Sequence, residues 1–218
     1  MYAIPVEKDV EEAPFRALLK HCSGAGFRPD QLMFVEADKH SFLPPPPPPF
    51  GEGEPPSFTM PRAYAELLHY AICHSSAARF DLLYLLLWRI RQGESMVASN
   101  HSDPVVAELA NYAKNVRRDI HKMHAFLRFR AEEIDGRMVY TAWFEPQHHI
   151  LRAVAPFFLD RFTNMDWVIG TPEGTIAWQD KTLTFAPPGP KPHASKDTVL
   201  DDLWLTYYRT TFNPRGSA

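Results

Sequence analysis

Apolar residues recur every three to four positions through much of the first half of the chain. This spacing is typical of amphipathic helices, and proline, serine and glycine stand where such helices would begin or end. The segment LLYLLLW at residues 82–88 is apolar on nearly every side, so its helix is expected to be the buried central one. The predicted helices cover residues 11–22, 61–72, 77–92 and 103–122.

The pattern changes from about Met123, where apolar and polar residues begin to alternate. Alternation is typical of strands, and Asp135–Gly136 is a strong signal for a hairpin turn between two of them. A second hairpin is predicted around residues 172–174, with the segment TLTF at 182–185 as its extension.

Two further helices are predicted in the second half, over residues 146–162 with a kink at Pro156 and over residues 198–212. The fold class is therefore expected to be α+β. In this prediction a helical N-terminal half with a central buried helix precedes two β-hairpins, which form a small antiparallel sheet, and a C-terminal helix.

A run of six prolines at residues 44–49 interrupts these elements. Such a run favours an extended polyproline II conformation, so residues 44–56 are expected to be a linker. The predicted organisation is an acidic N-terminal segment with this linker over residues 1–60, a single α+β domain over 61–214, and a short tail over 215–218.

Several classes of protein are disfavoured by composition. Cys22 and Cys73 match no metal or redox spacing, which favours a reducing compartment. The longest apolar run, residues 82–88, is far too short to cross a bilayer, so we expect a cytoplasmic protein without membrane contact. Nucleotide-binding glycine loops and a nucleophile elbow are absent, so the sequence assigns neither a cofactor nor a reaction.

Charge is distributed unevenly along the chain. The formal net charge is −3, but residues 1–60 carry five Lys and Arg against nine acids, a balance of −4. Residues 79–130 carry nine Lys and Arg against five acids, a balance of +4. An asymmetry of this kind permits a basic surface, and therefore an anionic partner, on an acidic protein.

Five basic residues near the end of the fourth predicted helix fall on one side of it. At 100° per residue they span about 140°, and the apolar residues of this helix cluster almost opposite. Phosphate groups are often contacted by a basic face that the core supports from behind, and a merely solvated face is the alternative. The five residues are Lys114, Arg117, Arg118, His121 and Lys122.

One face of the first hairpin is a second candidate surface. With a two-residue turn, Arg130 lies opposite Thr141 in the predicted register, and Arg128 lies opposite Trp143. Aromatic rings interleaved with arginines would stack bases and contact phosphates, unless a helix covers this face and Arg128 merely rests on Trp143. The face is predicted to carry His124, Phe126, Arg128, Arg130, Val139, Thr141 and Trp143.

Histidines form a third candidate group. His148 and His149 fall in the first turn of a predicted helix, whose dipole disfavours a charged imidazolium there. A cluster of histidines and a carboxylate is able to bind metal or transfer protons, but no metal-binding spacing is present and structural histidines are the alternative. No metal is assigned, and the candidate catalytic residues are His121, His124, Glu145, His148 and His149.

Three stretches resemble a bacterial domain family of unknown function whose members are described as DNA-metabolism proteins: HKMHAFLRFR, AWFEPQHHIL with APFFLDRF after it, and LWLTYYRTTFNP. The resemblance covers roughly residues 62–214 and implies a DNA-linked role. It also implies two possible partners, a radical-SAM protein and a uracil-DNA glycosylase-type domain, but no catalytic residue. The matching signature residues are His121, Lys122, His124, Phe126, Arg128, Phe129, Arg130, Trp143, Glu145, Pro146, His148 and His149.

The leading functional hypothesis is a DNA-binding accessory domain that positions DNA for a partner enzyme. The alternatives are a metal- or histidine-dependent enzyme acting on nucleic acid, and a protein scaffold that does not touch DNA. Phosphates are expected to contact Lys114, Arg117, Arg118 and Lys122, whereas bases are expected to contact Phe126, Arg128, Arg130 and Trp143.

Overall fold

The computed structural model describes residues 2–37, 58–191 and 198–212, so the predicted proline linker at 44–56 lies outside the described residues. Two compact units divide the chain, Met1–Arg118 and Asp119–Ala218. In chain order the elements are β1 (Tyr2–Glu7), α1 (Glu12–Gly24), β2 (Leu32–Ala37), α2 (Arg62–Ala71), α3 (Ala78–Arg91), α4 (Pro104–Phe126), β3 (Arg130–Ile134), β4 (Arg137–Trp143), α5 (Leu151–Arg161), β5 (Trp167–Gly170), β6 (Thr175–Gln179), β7 (Thr182–Ala186) and α6 (Thr198–Phe212).

The first unit begins with a β–α–β arrangement in which β1 and β2 pair in parallel. Ile4 and Phe34 are partners in this register and are buried, together with Phe15 of α1 and Phe80 of α3. These two strands are not predicted from the sequence. Pro5 interrupts the β1 pattern, and the parallel pairing depends on packing against α1 and α3 rather than on a local turn.

The central buried helix is confirmed as α3. Leu83, Leu86 and Leu87 are fully buried in the core of the first unit. Arg79, in the first turn of this helix, is also fully buried. Its guanidinium donates to the carbonyls of Ile72, Ser76 and Lys8, and it forms an ion pair with Glu36.

The second unit contains a five-stranded mixed sheet with the order β3–β4–β5–β6–β7. The predicted small antiparallel sheet is therefore wrong, although a mixture of helices and strands is compatible with α+β. Both predicted hairpins form, and the Arg130–Thr141 register is as expected. However, β4 and β5 pair in parallel, because α5 connects them as a crossover instead of a turn.

Helices cover both faces of this sheet. Phe158 of α5 contacts Trp167 on one face, with ring centroids 6.2 Å apart. On the other face, Trp204 and Tyr208 of α6 pack with a cluster of buried strand residues. The strand residues in this cluster are Ile134, Val139, Val168 and Ala177.

Two helix boundaries differ from the prediction. Helix α4 continues through Phe126, where strand-like alternation had been expected, and α5 begins at Leu151 rather than near Pro146. Within the described residues, no helix is both long and apolar enough to cross a membrane.

Candidate nucleic-acid interface

Helix α4 exposes the five basic residues that the sequence analysis placed on one side of it. Buried on the core side are Ala113, Val116 and Met123. The predicted amphipathic arrangement is therefore confirmed. This basic face consists of Lys114, Arg117, Arg118, His121 and Lys122.

Three residues of the basic face follow one another at intervals of four. Residues four apart in a helix are neighbours on its surface, and each step rises about 6 Å along the axis. Lys114, Arg118 and Lys122 therefore form a line of three cations, here called the basic row, and Phe126 occupies the next position in it.

The basic row lacks carboxylate partners within residues 2–37, 58–191 and 198–212. This distinguishes it from many arginines elsewhere in the protein, which form ion pairs with nearby acids. Arg117 of the basic face is also engaged, since its guanidinium lies 4.4 Å from the centre of the Tyr70 ring. The ion-paired arginines are Arg16, Arg28, Arg62, Arg79, Arg89, Arg137 and Arg209.

Asp119 is the acid within this stretch of α4, and it is buried rather than exposed beside the cations. Its Oδ2 accepts hydrogen bonds from the backbone N–H groups of Gln147, at 2.7 Å, and His148, at 3.0 Å. Two charge-assisted hydrogen bonds of this kind compensate a buried carboxylate. They also tie the segment before α5 to α4.

The predicted mixed face of the first hairpin does not form. His124 and Phe126 are in α4, and Arg128 precedes β3. Val139 and Thr141 are buried, and Val139 packs in the cluster that α6 covers. The sequence left two interpretations of this face open, and the one in which a helix covers it is correct. That interpretation placed Arg128 on Trp143, whereas Arg128 contacts the end of α4.

The structure places Arg128, Arg130 and Trp143 in separate settings. Arg128 donates from Nη1 to the carbonyls of Ala125, at 2.7 Å, and Leu127, at 2.9 Å, and so caps the end of α4. Arg130 is exposed at the start of β3. The indole N–H of Trp143 donates to Glu145, which also pairs with Lys191 at 2.7 Å.

The histidines and Glu145 also differ in their surroundings. His124 stacks on Phe157 at 3.8 Å between ring centroids, whereas His121 is exposed on α4. Burial lowers the pKa of His124 and of His148. For His148 the expected cause was the helix dipole, but α5 begins only at Leu151, so desolvation is the main cause. The hydrogen bond from Lys191 lowers the pKa of Glu145.

His149 is paired with a residue that the sequence analysis missed. Its Nδ1 lies 2.8 Å from Oε2 of Glu173, and its Nε2 is buried without a hydrogen-bond partner among the described residues. The two residues follow the carboxyl ends of β4 and β5, which are adjacent because these strands are parallel. The proximity of Glu173 and His149 could be predicted only from that strand pairing, since the two residues are 24 positions apart in the sequence.

No three His, Cys, Asp or Glu side chains are arranged to share a metal ion in the described part of the chain. The catalytic role assigned to His121, His124, Glu145, His148 and His149 stays a prediction. The described geometry that most directly suggests a ligand is therefore the basic row, which presents charge without compensation.

Comparison with known proteins gives one result. A family model described as a domain of unknown function, DUF4130, matches residues 77–217, about two thirds of the chain. No curated protein and no solved structure matches the chain. The matched segment includes all of α4 and all the described elements that follow it, and the expectation of a domain family without an assigned function is confirmed. The chain belongs to the DUF4130 family.

Proposed function

We propose that the chain binds DNA through the basic row of α4 and acts as an accessory domain to an enzyme that repairs or modifies DNA. The supporting observation is that Lys114, Arg118 and Lys122 are exposed, aligned and without carboxylate partners among the described residues. Exposed cations without a carboxylate partner are available to phosphate groups. Each phosphate that they neutralise releases counterions, which favours binding at low salt.

Local charge supports this proposal more than total charge does. The chain as a whole carries a formal charge of −3, which disfavours non-specific attraction to DNA. At about 0.1 M salt, however, charges further than about 10 Å away are largely screened. A phosphate at the basic row therefore responds chiefly to the charges near it, among them the three cations of the row.

The accessory role rests on the resemblance to bacterial DNA-metabolism proteins. The proposed partner is a radical-SAM protein or a uracil-DNA glycosylase-type domain, as that resemblance implies. Contacts to phosphate fix the position of DNA without reading its sequence. Such contacts suit a domain that presents DNA to another protein.

The test is to remove the three charges of the basic row. We expect a Lys114→Gln/Arg118→Gln/Lys122→Gln variant to bind a fluorescein-labelled oligonucleotide roughly tenfold or more weakly at low salt, because three phosphate contacts are lost. Fluorescence anisotropy measures the affinity, and circular dichroism verifies folding. The control removes three exposed charges elsewhere, at Lys8, Arg161 and Lys181, again by replacement with Gln.

The control separates the basic row from a general loss of charge. Equal weakening in both triple variants would reject the basic row as the binding site. Absence of DNA binding by the wild-type protein would reject the proposed function and favour the scaffold hypothesis.

A further inference from the structure

Phe126 is an exposed aromatic residue at the end of the basic row. The residue is 68% exposed, although burial of a phenylalanine ring is favourable. It lies four residues after Lys122, so its ring is a neighbour of that cation on the surface of α4. The row thus presents three positive charges followed by one apolar ring.

The backbone next to this ring is held by Arg128. The carboxyl end of a helix carries a partial negative charge of about half an elementary unit, which would repel phosphate. The guanidinium of Arg128 hydrogen-bonds to the carbonyls of Ala125 and Leu127, on either side of Phe126. These contacts offset the carbonyl charge and fix the chain at the point where the ring projects.

We infer that the basic row binds single-stranded DNA and that Phe126 stacks on an unpaired base. This inference rests on the proposed function and adds the kind of DNA that the row selects. Bases of a duplex are already stacked on one another, so an exposed ring gains little from a duplex unless it disrupts it. A single strand offers free base faces, and stacking of a base on an aromatic side chain is largely independent of sequence.

The spacing within the row is compatible with this arrangement. Successive positions are about 6 Å apart along α4, so Lys114 and Phe126 are separated by about 18 Å along the axis. That length matches a site of a few nucleotides, the lower part of the range for single-strand binding surfaces. The cations would follow the phosphates, while the ring would engage one base at the end.

The test compares Phe126→Leu and Phe126→Trp with the wild type. The probes are an unstructured oligonucleotide of about 12 nucleotides that carries 2-aminopurine, and the duplex of the same sequence. We expect tighter binding of the single strand, and quenching of 2-aminopurine fluorescence when the ring stacks on it. Phe126→Leu should weaken single-strand binding by about 5- to 100-fold and abolish quenching, and Phe126→Trp should retain both.

Met138→Leu is the matched control, because it changes another exposed apolar side chain, in β4, and should leave binding unchanged. Salt-sensitive binding that is the same in wild type and Phe126→Leu would overturn the stacking inference and leave the proposed function standing. Equal or tighter binding of the duplex by the wild type would overturn the selection of single strands. Failure to bind either probe would reject both proposals.

Discussion

Arg79 shows how one residue can join several elements of the first unit. Its side chain is fully buried and contacts the carbonyls of Lys8, Ile72 and Ser76 as well as the carboxylate of Glu36. A guanidinium can make these bonds together because its donors point in fixed, diverging directions. No sequence signal marks Arg79 as buried, since an arginine near the start of a helix is normally exposed.

Replacement of Arg79 by Met is expected to destabilise the protein by about 3 kcal/mol or more, because it leaves buried carbonyls and Glu36 without a partner. Urea unfolding followed by circular dichroism measures this loss. Arg62→Met is the control, because Arg62 forms its ion pair on the surface and its side chain is 92% exposed. If the Arg79→Met variant unfolded at the same urea concentration as the wild type, the claim that the buried contacts of Arg79 stabilise the first unit would be contradicted.

Buried His148 and half-buried His124 predict a dependence of stability on pH. Burial lowers the pKa of His124 and His148 below the ordinary value of about 6.5. As the pH falls below 6.5, the unfolded chain therefore takes up protons before the folded chain does, and stability decreases. The decrease ends below the folded-state pKa values, and above pH 6.5 these two groups contribute no further change.

We therefore expect the melting temperature to fall between pH 7 and pH 5, and to fall less in His124→Phe. Phenylalanine is able to stack on Phe157 as His124 does, but it does not titrate. His101→Gln serves as the control because His101 is exposed. If the melting temperature fell equally between pH 7 and pH 5 in His124→Phe and in the wild type, the claim that His124 contributes to the pH dependence would be refuted.

At the scale of elements, local signals were sufficient for the turns but not for the pairing of the sheet. Asp135 and Gly136 both have positive φ angles, as a two-residue hairpin turn requires, and the turn was predicted from these two residues. The parallel contact of β4 and β5 was missed because it depends on where α5 packs. Because this parallel pairing was not predicted, the proximity of His149 and Glu173 was not predicted either.

The extent of α4 was underestimated for a similar reason. Residues 124–130, HAFLRFR, alternate in polarity, which favours a strand when no tertiary contact is known. In the protein Met123 is buried and Arg128 caps the helix, so α4 continues to Phe126. The exposed basic face was predictable because helical periodicity alone determines it, whereas the position of Phe126 at its end was not.

Gly170 provides a test of the parallel pairing at this scale. It is the register partner of Trp143, and a Cβ atom added to it would lie 2.9 Å from Cε3 of that ring. We expect Gly170→Ala to destabilise the second unit by about 1–3 kcal/mol through overpacking. Urea unfolding monitored by circular dichroism measures the effect.

A double-mutant cycle assigns this effect to its cause. With Trp143→Leu in the background, Gly170→Ala should be less destabilising, because the smaller side chain leaves room for the methyl group. Independent, additive effects of the two substitutions would argue against close packing of Trp143 on Gly170.

At the scale of the whole molecule, acidic and basic residues are concentrated in different parts of the chain. The acidic residues of the first 60 positions make the total negative, while five basic residues lie exposed on one face of α4. This segregation was visible in the sequence. That no carboxylate in the described part of the chain pairs with the basic row could be seen only in the structure, because ion pairing depends on which acids approach in three dimensions.

The salt dependence of DNA binding tests the central claim most directly. Three phosphate contacts to a single strand predict that log Kd rises with log salt concentration with a slope of about 2, and removal of each cation in the basic row should lower the slope by about 0.7. Fluorescence anisotropy of the wild-type protein at several salt concentrations gives this slope. A slope near zero, or one unchanged when Lys114, Arg118 and Lys122 are replaced, would contradict DNA binding through α4.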